Sequence, residues 1–590
     1  MESSFKKLES SSNFFIDQFV AAQNLFSGFE KYNNDFMAPY LTSIACFGQA
    51  ELSKMDKSSF CEQWESYVEL LKFNMDLMGK GFSGSMQAMD GVVNRELENY
   101  LLAFKNSILQ GEGEKLDDFF SRLFDMLSGV SKRLPKAIKE IEPEFGFHFE
   151  RGINPLFAET DRFLLYRIVP TNKDIKMDEK GKPIIIIPPF VLGSNILSFL
   201  PGDNKSYTHC YANQGIPTYI RIMKDIQTTE AFQTMTMEED ALDTRYFCEK
   251  VMEQHGKKVT LNGYCQGGFS AVCDILSNEL DHVVDALITC VAPMDGTRSK
   301  GLGDFLKTLP PRFNDLIYGT KRLPSGNEVA DGQLMGWVYK IKSIEDQAPI
   351  VSFLRDMFMV SQMEKKSGDI SKTAAALNYW LQNERSDIPL SITQMSFASF
   401  NIPVTKDGTL PVEMFGRKLN FKGIEEKKIP WLLCYGENDD LVEKDSALAP
   451  LDYIDVETAP FPKGHVAIAT SWSDPESAYA LHKRFGQNDQ YRGPVRFQMD
   501  LNEAIDKSIQ QEKAARLAEL EKPEPEIKAK TESIKKAVVI DIVKPAKVEP
   551  IKKAAVKTTA KPALIKKTAV KAVAKPAKVN SIKKAPKKTK

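Results

Sequence analysis

The stretch Gly263-Tyr264-Cys265-Gln266-Gly267-Gly268 follows a predicted strand, Val259–Leu261, and precedes a predicted helix, Phe269–Glu279. Its G-x-C-x-G pattern matches the nucleophile elbow, a sharp strand-to-helix turn, with cysteine in the position that serine usually holds. Glycines flank the nucleophile because side chains there would collide with the neighbouring strand and helix. At this composition about 0.03 such matches are expected per chain by chance. The stretch predicts a nucleophilic Cys265; the alternative is a tight turn around a buried, inert cysteine.

Short apolar runs alternate with helical segments on both sides of this motif. Ile184–Ile187 is an unbroken β-branched run between Pro183 and Pro188, which is typical of a strand buried on both faces. Other predicted strands are Phe163–Val169, Thr218–Ile222, Ala286–Val291 and Trp431–Tyr435, with a predicted amphipathic helix at Asp240–Gln254. The alternation predicts an α/β fold with a parallel sheet.

Changes in composition divide the chain into segments. They predict a helical N-terminal region at 1–150, an α/β catalytic domain at 151–490, a helical linker at 491–525 and a disordered Lys/Ala/Pro-rich tail at 526–590. Within the catalytic domain, residues 295–425 interrupt the strand–helix rhythm and are predicted to form an insertion over the sheet. The N-terminal region carries Met and Phe at helical spacing, in Phe60–Met78 and Leu101–Leu127. These apolar faces are either an ordinary helical core or an adhesive surface for a partner or a hydrophobic particle.

Charge is distributed unevenly along the chain. The overall net charge is -1, but residues 541–590 contain sixteen Lys and only two acidic residues, a local charge of +14 that leaves about −15 on the rest. The tail repeats KPAKVEPIKK (544–553) as KPAKVNSIKK (575–584), and no aromatic residue follows Phe497. Without aromatic residues the tail cannot bury enough surface to offset its ordering entropy. It predicts a solvating tail or an arm that binds DNA, polyphosphate or an acidic protein.

Several classes of protein are excluded by composition. Eight Cys in 590 residues are too few for a disulfide scaffold, and the first residues, MESSFKKLESSSNFF, lack the apolar run of a signal peptide. The longest apolar stretch, around Ile184–Leu192, is far below the ~18 residues that cross a bilayer. A cytoplasmic protein is therefore predicted. Because no Walker A loop or CxxC pair occurs, neither a cofactor nor a metal is predicted.

An elbow nucleophile needs a base and an acid that orients it, and in elbow proteins these follow in the order acid, then histidine. Of the downstream histidines, His282 lies too near the elbow helix and His482 lies in a polar helical stretch, whereas His465 follows Gly464 at a strand end. The acid is predicted in the segment 436–442, where Asp439 has the better spacing, Asp440 competes with it, and both could simply cap a turn. The backbone N–H groups of Gln266 and of the loop around Val191 are predicted oxyanion donors.

Taken together, these motifs resemble those of the polyhydroxyalkanoate synthases over about residues 160–485. The matching features are the elbow, Pro188-Pro189, Asp439-x-Leu441-Val442 and Gly464-His465, together with Asp407–Leu410 and Ala375–Pro389. The chain departs from the family at Asp440, where the family usually has His, at Glu443, where it has Pro, and at Ile222–Ile226, where a Trp is missing.

The resemblance implies an α/β-hydrolase fold with a cap insertion and a triad of Cys265, Asp439 and His465. It implies an acyltransferase that polymerises 3-hydroxyacyl-CoA thioesters with release of CoA, on a cytoplasmic polyester granule surface, as a homo-oligomer or with a companion subunit. Two alternatives stay open at this point: a hydrolase on the same fold, either a thioesterase or a polymer depolymerase, and an inactive granule-associated or DNA-tethering protein.

Overall fold

The isoleucine run Ile184–Ile187 forms a fully buried strand within a sheet of eight strands. The computed structural model describes residues 30, 32–34, 59–308, 319–332, 335–336, 348–364 and 370–520, and the fold given below is that of these residues. The sheet strands are β1 (Leu156–Glu159), β2 (Phe163–Arg167), β3 (Ile184–Ile187), β4 (Thr218–Met223), β5 (Val259–Tyr264), β6 (Val284–Cys290), β7 (Trp431–Gly436) and β8 (Glu457–Phe461).

The strand order in this sheet is β1-β2-β4-β3-β5-β6-β7-β8. Strand β2 runs antiparallel to its neighbours β1 and β4, and all pairs from β4 to β8 are parallel. This order, with its antiparallel second strand, is that of the α/β-hydrolase fold, so the predicted fold class is confirmed. Because parallel strands share a carboxyl edge, the loops after β3, β5, β7 and β8 meet at one edge of the sheet.

The part of the N-terminal region that the structure describes from residue 59 onward is mainly helical. Its helices are α1 (Phe60–Leu109), α2 (Leu116–Ser128) and α3 (Leu134–Glu140), with the π-helical turn Gly129–Arg133 joining the last two. Helix α1 is 50 residues long and begins with a capping box between Ser59 and Glu62. The sequence predicted helical stretches at Phe60–Met78 and Leu101–Leu127, whereas in the structure one continuous helix spans Phe60–Leu109 and a break at 110–115 divides the second stretch. Packing of Phe73, Leu77 and Ala103 against the body outweighs the low propensity of the glycines inside α1.

Helices connect the strands of the sheet. The main ones are α4 (Tyr207–Ala212), α5 (Met237–His255) and α6 (Gln266–Leu276). Helix α5 begins with a capping box between Thr236 and Glu239 and ends at Gly256, whose φ of 70° is left-handed. Helix α6 starts immediately after Cys265, so the nucleophile candidate sits at the junction of β5 and α6.

The predicted insertion lies between β6 and β7. Its longer described helices are α7 (Lys300–Thr308), α8 (Pro349–Glu364), α9 (Lys372–Asn383) and α10 (Leu390–Asn401). Its described strands are Thr320–Arg322, Glu328–Ala330 and Ile388–Pro389, in one small sheet, and the hairpin Thr409–Met414 with Arg417–Asn420. Helix α8 packs against the N-terminal helices through Phe353, Met357 and Val360, which meet Met126 and Val130. The insertion therefore joins the N-terminal helices to the catalytic sheet.

The chain after β8 ends its described part in helix α11 (Pro494–Leu520). Residues 491–525 were predicted as a linker, but the first turn of α11 belongs to the body: Val495 and Phe497 are buried, and Gln498 donates to the Lys182 carbonyl. Chain contacts divide the protein into a unit at 1–513 and a second unit at 514–590. The predicted tail, 526–590, lies outside the described residues. Among the helices that are described, none combines the length and apolar content needed to cross a membrane.

Candidate active site

Cys265 occupies a strained turn at the carboxyl end of β5. Its φ of 52° and ψ of −125° are unusual for a residue with a side chain, and such a conformation costs roughly 1–3 kcal/mol. The surrounding sheet holds this turn in place, since the Cys265 amide donates to the Cys290 carbonyl of β6 at 2.8 Å. Backbone strain at a single buried cysteine is typical of a functional elbow.

The glycines of the motif are required by close contacts. A Cβ on Gly263 would lie 2.3 Å from the Gly268 Cα, and one on Gly267 would lie 2.4 Å from the Ile187 carbonyl oxygen. A Cβ on Gly268 would meet the Ala292 side chain at 2.6 Å. Helix α6 can therefore start directly against the ends of β3, β5 and β6 only if these positions lack side chains.

Asp439 and His465, which follow β7 and β8, form a buried pair. The His465 Nδ1 and the Asp439 Oδ2 are 2.8 Å apart. The second carboxylate oxygen of Asp439 accepts from the amides of Leu441 and Val442, both at 2.9 Å, which fixes the direction of the side chain. Asp440, the competing candidate, is exposed. The structure thus brings Asp439 to the imidazole.

The His465 ring joins this pair to the cysteine. Burial alone would lower the pKa of His465, but the nearby carboxylate of Asp439 and sulfur of Cys265 raise this pKa well above its ordinary value. Within the described residues, Nε2 has no partner at ordinary hydrogen-bond geometry. Such contacts commonly tighten only when substrate is bound. Cys265, His465 and Asp439 therefore form one buried cluster with the order thiol, imidazole, carboxylate.

Tyr264 holds the histidine loop and was not predicted from the sequence. Its hydroxyl donates to the His465 carbonyl at 2.7 Å, and its ring meets the imidazole edge-on. Burial, followed by nearby Cys290, Asp439 and Cys265, raises the pKa of Tyr264 well above its ordinary value, so the phenol keeps its proton and remains a donor. Tyr264, the last residue of β5, therefore fixes the backbone of the loop that carries His465.

The two predicted oxyanion donors lie at the start of α6 and in the loop after β3. Gln266 is the first residue of α6, and its side-chain amide donates to the Ser396 hydroxyl of α10. Val191 lies in the loop after β3 and is buried. The close approach of Gly267 to the carbonyls of Ile187 and Pro188 brings the beginning of this loop against the elbow. Gln266 thus follows Cys265 directly, and the start of the loop that contains Val191 lies against the elbow.

Three contacts from the insertion hold the loop after β3 (residues 188–195). The Ser386 amide donates to the Val191 carbonyl at 3.0 Å, and the Trp380 indole donates to the Leu192 carbonyl at 3.1 Å. The Asn195 side chain donates to Glu384 at 2.7 Å. Cys265 and His465 are buried, at 9% and 8% exposed, and Ala375, Ala376 and Trp380 of the insertion belong to the same core cluster as Cys265.

Glu384 in this contact has an unusual protonation behaviour. Burial, only partly offset by Asn195, Arg385 and His148, raises the pKa of Glu384 to about 7. Because the pKa of this carboxyl is higher in the folded than in the unfolded chain, its contribution to stability is complete below about pH 4.5 and is lost as pH rises through about 7.

Glu384→Gln is therefore expected to change the free energy of unfolding more favourably at pH 8 than at pH 5, by about 2 kcal/mol. The reason is that the amide stays neutral at both pH values, whereas the carboxyl ionises between them. Glutamine keeps an oxygen that can accept from Asn195. Urea unfolding of both proteins at the two pH values measures the difference. An equal effect of the substitution at pH 5 and pH 8 would contradict this description of Glu384.

Comparisons with known proteins concern the fold. No protein-family model matches the chain, and no curated protein matches it in sequence. Similar solved structures include a meta-cleavage product hydrolase from Pseudomonas fluorescens IP01, 14% identical with a TM-score of 0.30, covering 62% of this chain and 99% of that one. A thermophilic esterase from Thermogutta terrifontis is 12% identical with a TM-score of 0.30, covering 58% and 97%. A thioesterase domain from the curacin biosynthetic pathway is 9% identical with a TM-score of 0.29, covering 54% and 95%. The fold assignment rests on the strand order and the elbow described above.

Proposed function

We propose that the protein is an acyltransferase that polymerises 3-hydroxyacyl groups from their CoA thioesters, as the polyhydroxyalkanoate synthases do. The observation that carries the proposal is a cysteine on a nucleophile elbow that lies against a buried His465–Asp439 pair. Cys265 and His465 are buried, which limits the access of water.

In the first step the Cys265 sulfur attacks the thioester carbonyl. His465 accepts the thiol proton and Asp439 stabilises the resulting imidazolium, which agrees with the raised pKa of this histidine. Negative charge on the carbonyl oxygen is stabilised by the amides of Gln266 and Val191. The carbon–sulfur bond to CoA then breaks, the leaving thiolate takes the proton from His465, and the acyl group remains on Cys265.

In the second step the 3-hydroxyl of another bound 3-hydroxyacyl-CoA attacks the acyl group on Cys265. Its proton passes to His465, an ester bond forms, and the bond to the cysteine sulfur breaks. The lengthened acyl-CoA then returns to Cys265 by the first step, releasing one CoA for each unit added.

The choice of cysteine over serine suits transfer to an alcohol. Exchange of one thioester for another is nearly balanced, so the acyl group on Cys265 stays activated and its transfer to a hydroxyl is downhill. A serine nucleophile would form an oxygen ester at once, and transfer from that ester to a second alcohol would gain nothing.

Purified full-length protein with 3-hydroxybutyryl-CoA tests this proposal. We expect release of CoA thiol together with growing turbidity and recovery of ester-linked polymer. Release of thiol with an equal amount of free 3-hydroxybutyrate would instead assign a hydrolase, a thioesterase or depolymerase on the same fold. No thiol release from this or longer 3-hydroxyacyl-CoA substrates would leave a protein that attaches to granules without catalysing their synthesis.

The basic tail adds a second proposed property, a non-specific contact with DNA that would link cytoplasmic polyester granules to the nucleoid. Residues 541–590 carry a charge of +14 from lysines alone and lack aromatic residues. Lysines neutralise phosphates, whereas guanine recognition uses arginine forks and single-strand binding uses aromatic stacking. Contact through this tail is therefore independent of base sequence.

The full-length chain is expected to retard duplex DNA of any sequence at low salt, and the retardation should fall steeply as salt rises because bound counterions are released. A chain ending at residue 530 should not retard DNA under the same conditions. Electrophoretic mobility at several salt concentrations measures both. Equal retardation by the two chains, or none by either at low salt, would exclude the tail as a nucleic-acid arm.

A further inference from the structure

Helix α1 exposes an apolar stripe along its whole length. Starting from Phe60, apolar side chains follow at spacings of four, three and four residues, so that the pattern repeats every eleven residues. We call this set the α1 stripe; its members are Phe60, Trp64, Tyr67, Leu71, Met75, Met78, Phe82, Met86, Met89, Val93, Leu97, Tyr100, Phe104 and Ile108. Tyr100 packs on Phe104 and Phe119, and the other thirteen are between 39% and 78% exposed.

The stripe is too large for a surface left in contact with water. At 1.5 Å per residue it is about 72 Å long, and its exposed side chains present roughly 1,500 Å² of mainly apolar surface. The largest patch on an ordinary monomer is about 300–600 Å², whereas a stable interface buries about 800 Å² on each partner. The opposite side of α1 is already used, since Phe73 and Leu77 are buried against the body. The stripe therefore has the dimensions of an interface.

The eleven-residue period of the α1 stripe indicates the shape of the surface that covers the stripe. Eleven residues in three turns give 3.67 residues per turn, so the stripe drifts about 20° around a straight helix per repeat, or roughly 90° over its length. A flat surface cannot contact all of a stripe that turns in this way, whereas a second helix follows it by coiling. Helix α1 also carries seven acidic and four basic residues, unlike the lysine-rich and arginine-rich polar faces of helices that lie on membranes.

The residues that precede α1 are poorly suited to cover the stripe. A helix of matching length needs about 49 residues, and within 1–58 Pro39 cannot continue a helix. Tyr32, one of the described residues of this part, packs its ring against Phe353 of α8 with centroids 5.5 Å apart.

We propose that the occupant is the α1 stripe of a second copy of this chain, so that two α1 helices form a coiled coil with an eleven-residue repeat. A second copy presents the same length and the same period, and a two-fold pair is therefore matched along the entire stripe. Few charged residues lie along the borders of the α1 stripe. Asp90 and Glu96 are the acidic residues there, and Glu96 is paired with Arg122 at 3.0 Å, so little like-charge repulsion opposes the pairing. This dimer is independent of the chemistry at Cys265.

Sedimentation of the full-length protein at micromolar concentration tests the proposal. The wild type is expected at twice the chain mass of 66.4 kDa. Phe82→Glu combined with Met86→Glu places four charges in the middle of the paired stripes and is expected to give the single-chain mass. Ser83→Glu combined with Gln87→Glu adds the same charge to the same turn, at exposed positions outside the stripe, and is expected to leave the dimer intact.

If the variant with Phe82→Glu and Met86→Glu fails to fold, hydrogen exchange of the wild-type protein still tests the proposal. In the wild type, amides of 75–97 are expected to be protected at high protein concentration and to exchange faster on dilution. A wild type that sediments as a single chain would overturn the proposal. If these amides were protected at every dilution, another segment of the same chain would cover the α1 stripe. If the wild type were monomeric and the charged variant lost binding to polyester particles, the stripe would bind the polymer surface. Either result would contradict the dimer.

Discussion

Cys265→Ala is expected to lower the rate of CoA release by roughly four to six orders of magnitude, the typical cost of losing a triad nucleophile. The fold should persist because the Cys265 sulfur is one small group in a turn held by backbone contacts, such as its amide bond to the Cys290 carbonyl. Thiol release from 3-hydroxybutyryl-CoA measures the rate, and near-ultraviolet circular dichroism checks the fold.

Two other cysteines serve as matched controls. Burial, with nearby acidic groups, raises the pKa of Cys273 well above its ordinary value, and burial together with Cys290 does the same for Cys434, so both thiols are expected to be unreactive. Cys273→Ala should therefore keep most of the activity. Full activity in Cys265→Ala, combined with a requirement for Cys273 or Cys434, would overturn the assignment of the nucleophile.

Asp439→Asn is expected to reduce kcat/KM by roughly 10³–10⁴-fold, whereas Asp440→Asn should change it by no more than a few fold. The asparagine would present an amide to the His465 Nδ1 and favour the wrong tautomer, and loss of the carboxylate should lower the pKa of His465. The neighbouring Asp440 is exposed, so its substitution is a control with the same change of charge.

A pH profile of both variants separates catalysis from stability. Loss of the His465–Asp439 pair should move the pH dependence of kcat/KM, and Asp440→Asn should follow the wild type. If Asp440→Asn proved the more damaging of the two, the acid would be Asp440 and the pairing seen in the fold would not be the one used in the reaction.

The elements that could be predicted from the sequence are those whose determinants are local. The glycines around Cys265 indicate a close approach of two backbone segments, and the isoleucines of β3 indicate a strand that is buried on both faces. The sequence alone could not decide whether Asp439 or Asp440 pairs with His465. It depends on which side chain turns back to the amides of Leu441 and Val442, and that is visible only in three dimensions.

Long-range contacts account for what the sequence did not predict. Tyr264 contacts a carbonyl 201 residues away, and Glu384 meets Asn195 through the folded insertion. The sequence predicted helical stretches at Phe60–Met78 and Leu101–Leu127 but did not join them. The glycines at 79, 81, 84 and 91 lower helix propensity, and packing of α1 on α2 and α8 nevertheless keeps the helix continuous. The eleven-residue period of α1 was nevertheless present in the sequence and would have predicted one continuous helix.

The covalent intermediate tests the central claim most directly. Full-length protein is mixed with 3-hydroxybutyryl-CoA, quenched in acid within the first turnovers and digested for mass spectrometry. The mechanism predicts that the peptide containing Cys265 carries one or more ester-linked 3-hydroxybutyryl units through a thioester, which hydroxylamine removes. An unmodified Cys265 while CoA is being released, or acyl groups found on another cysteine, would contradict it.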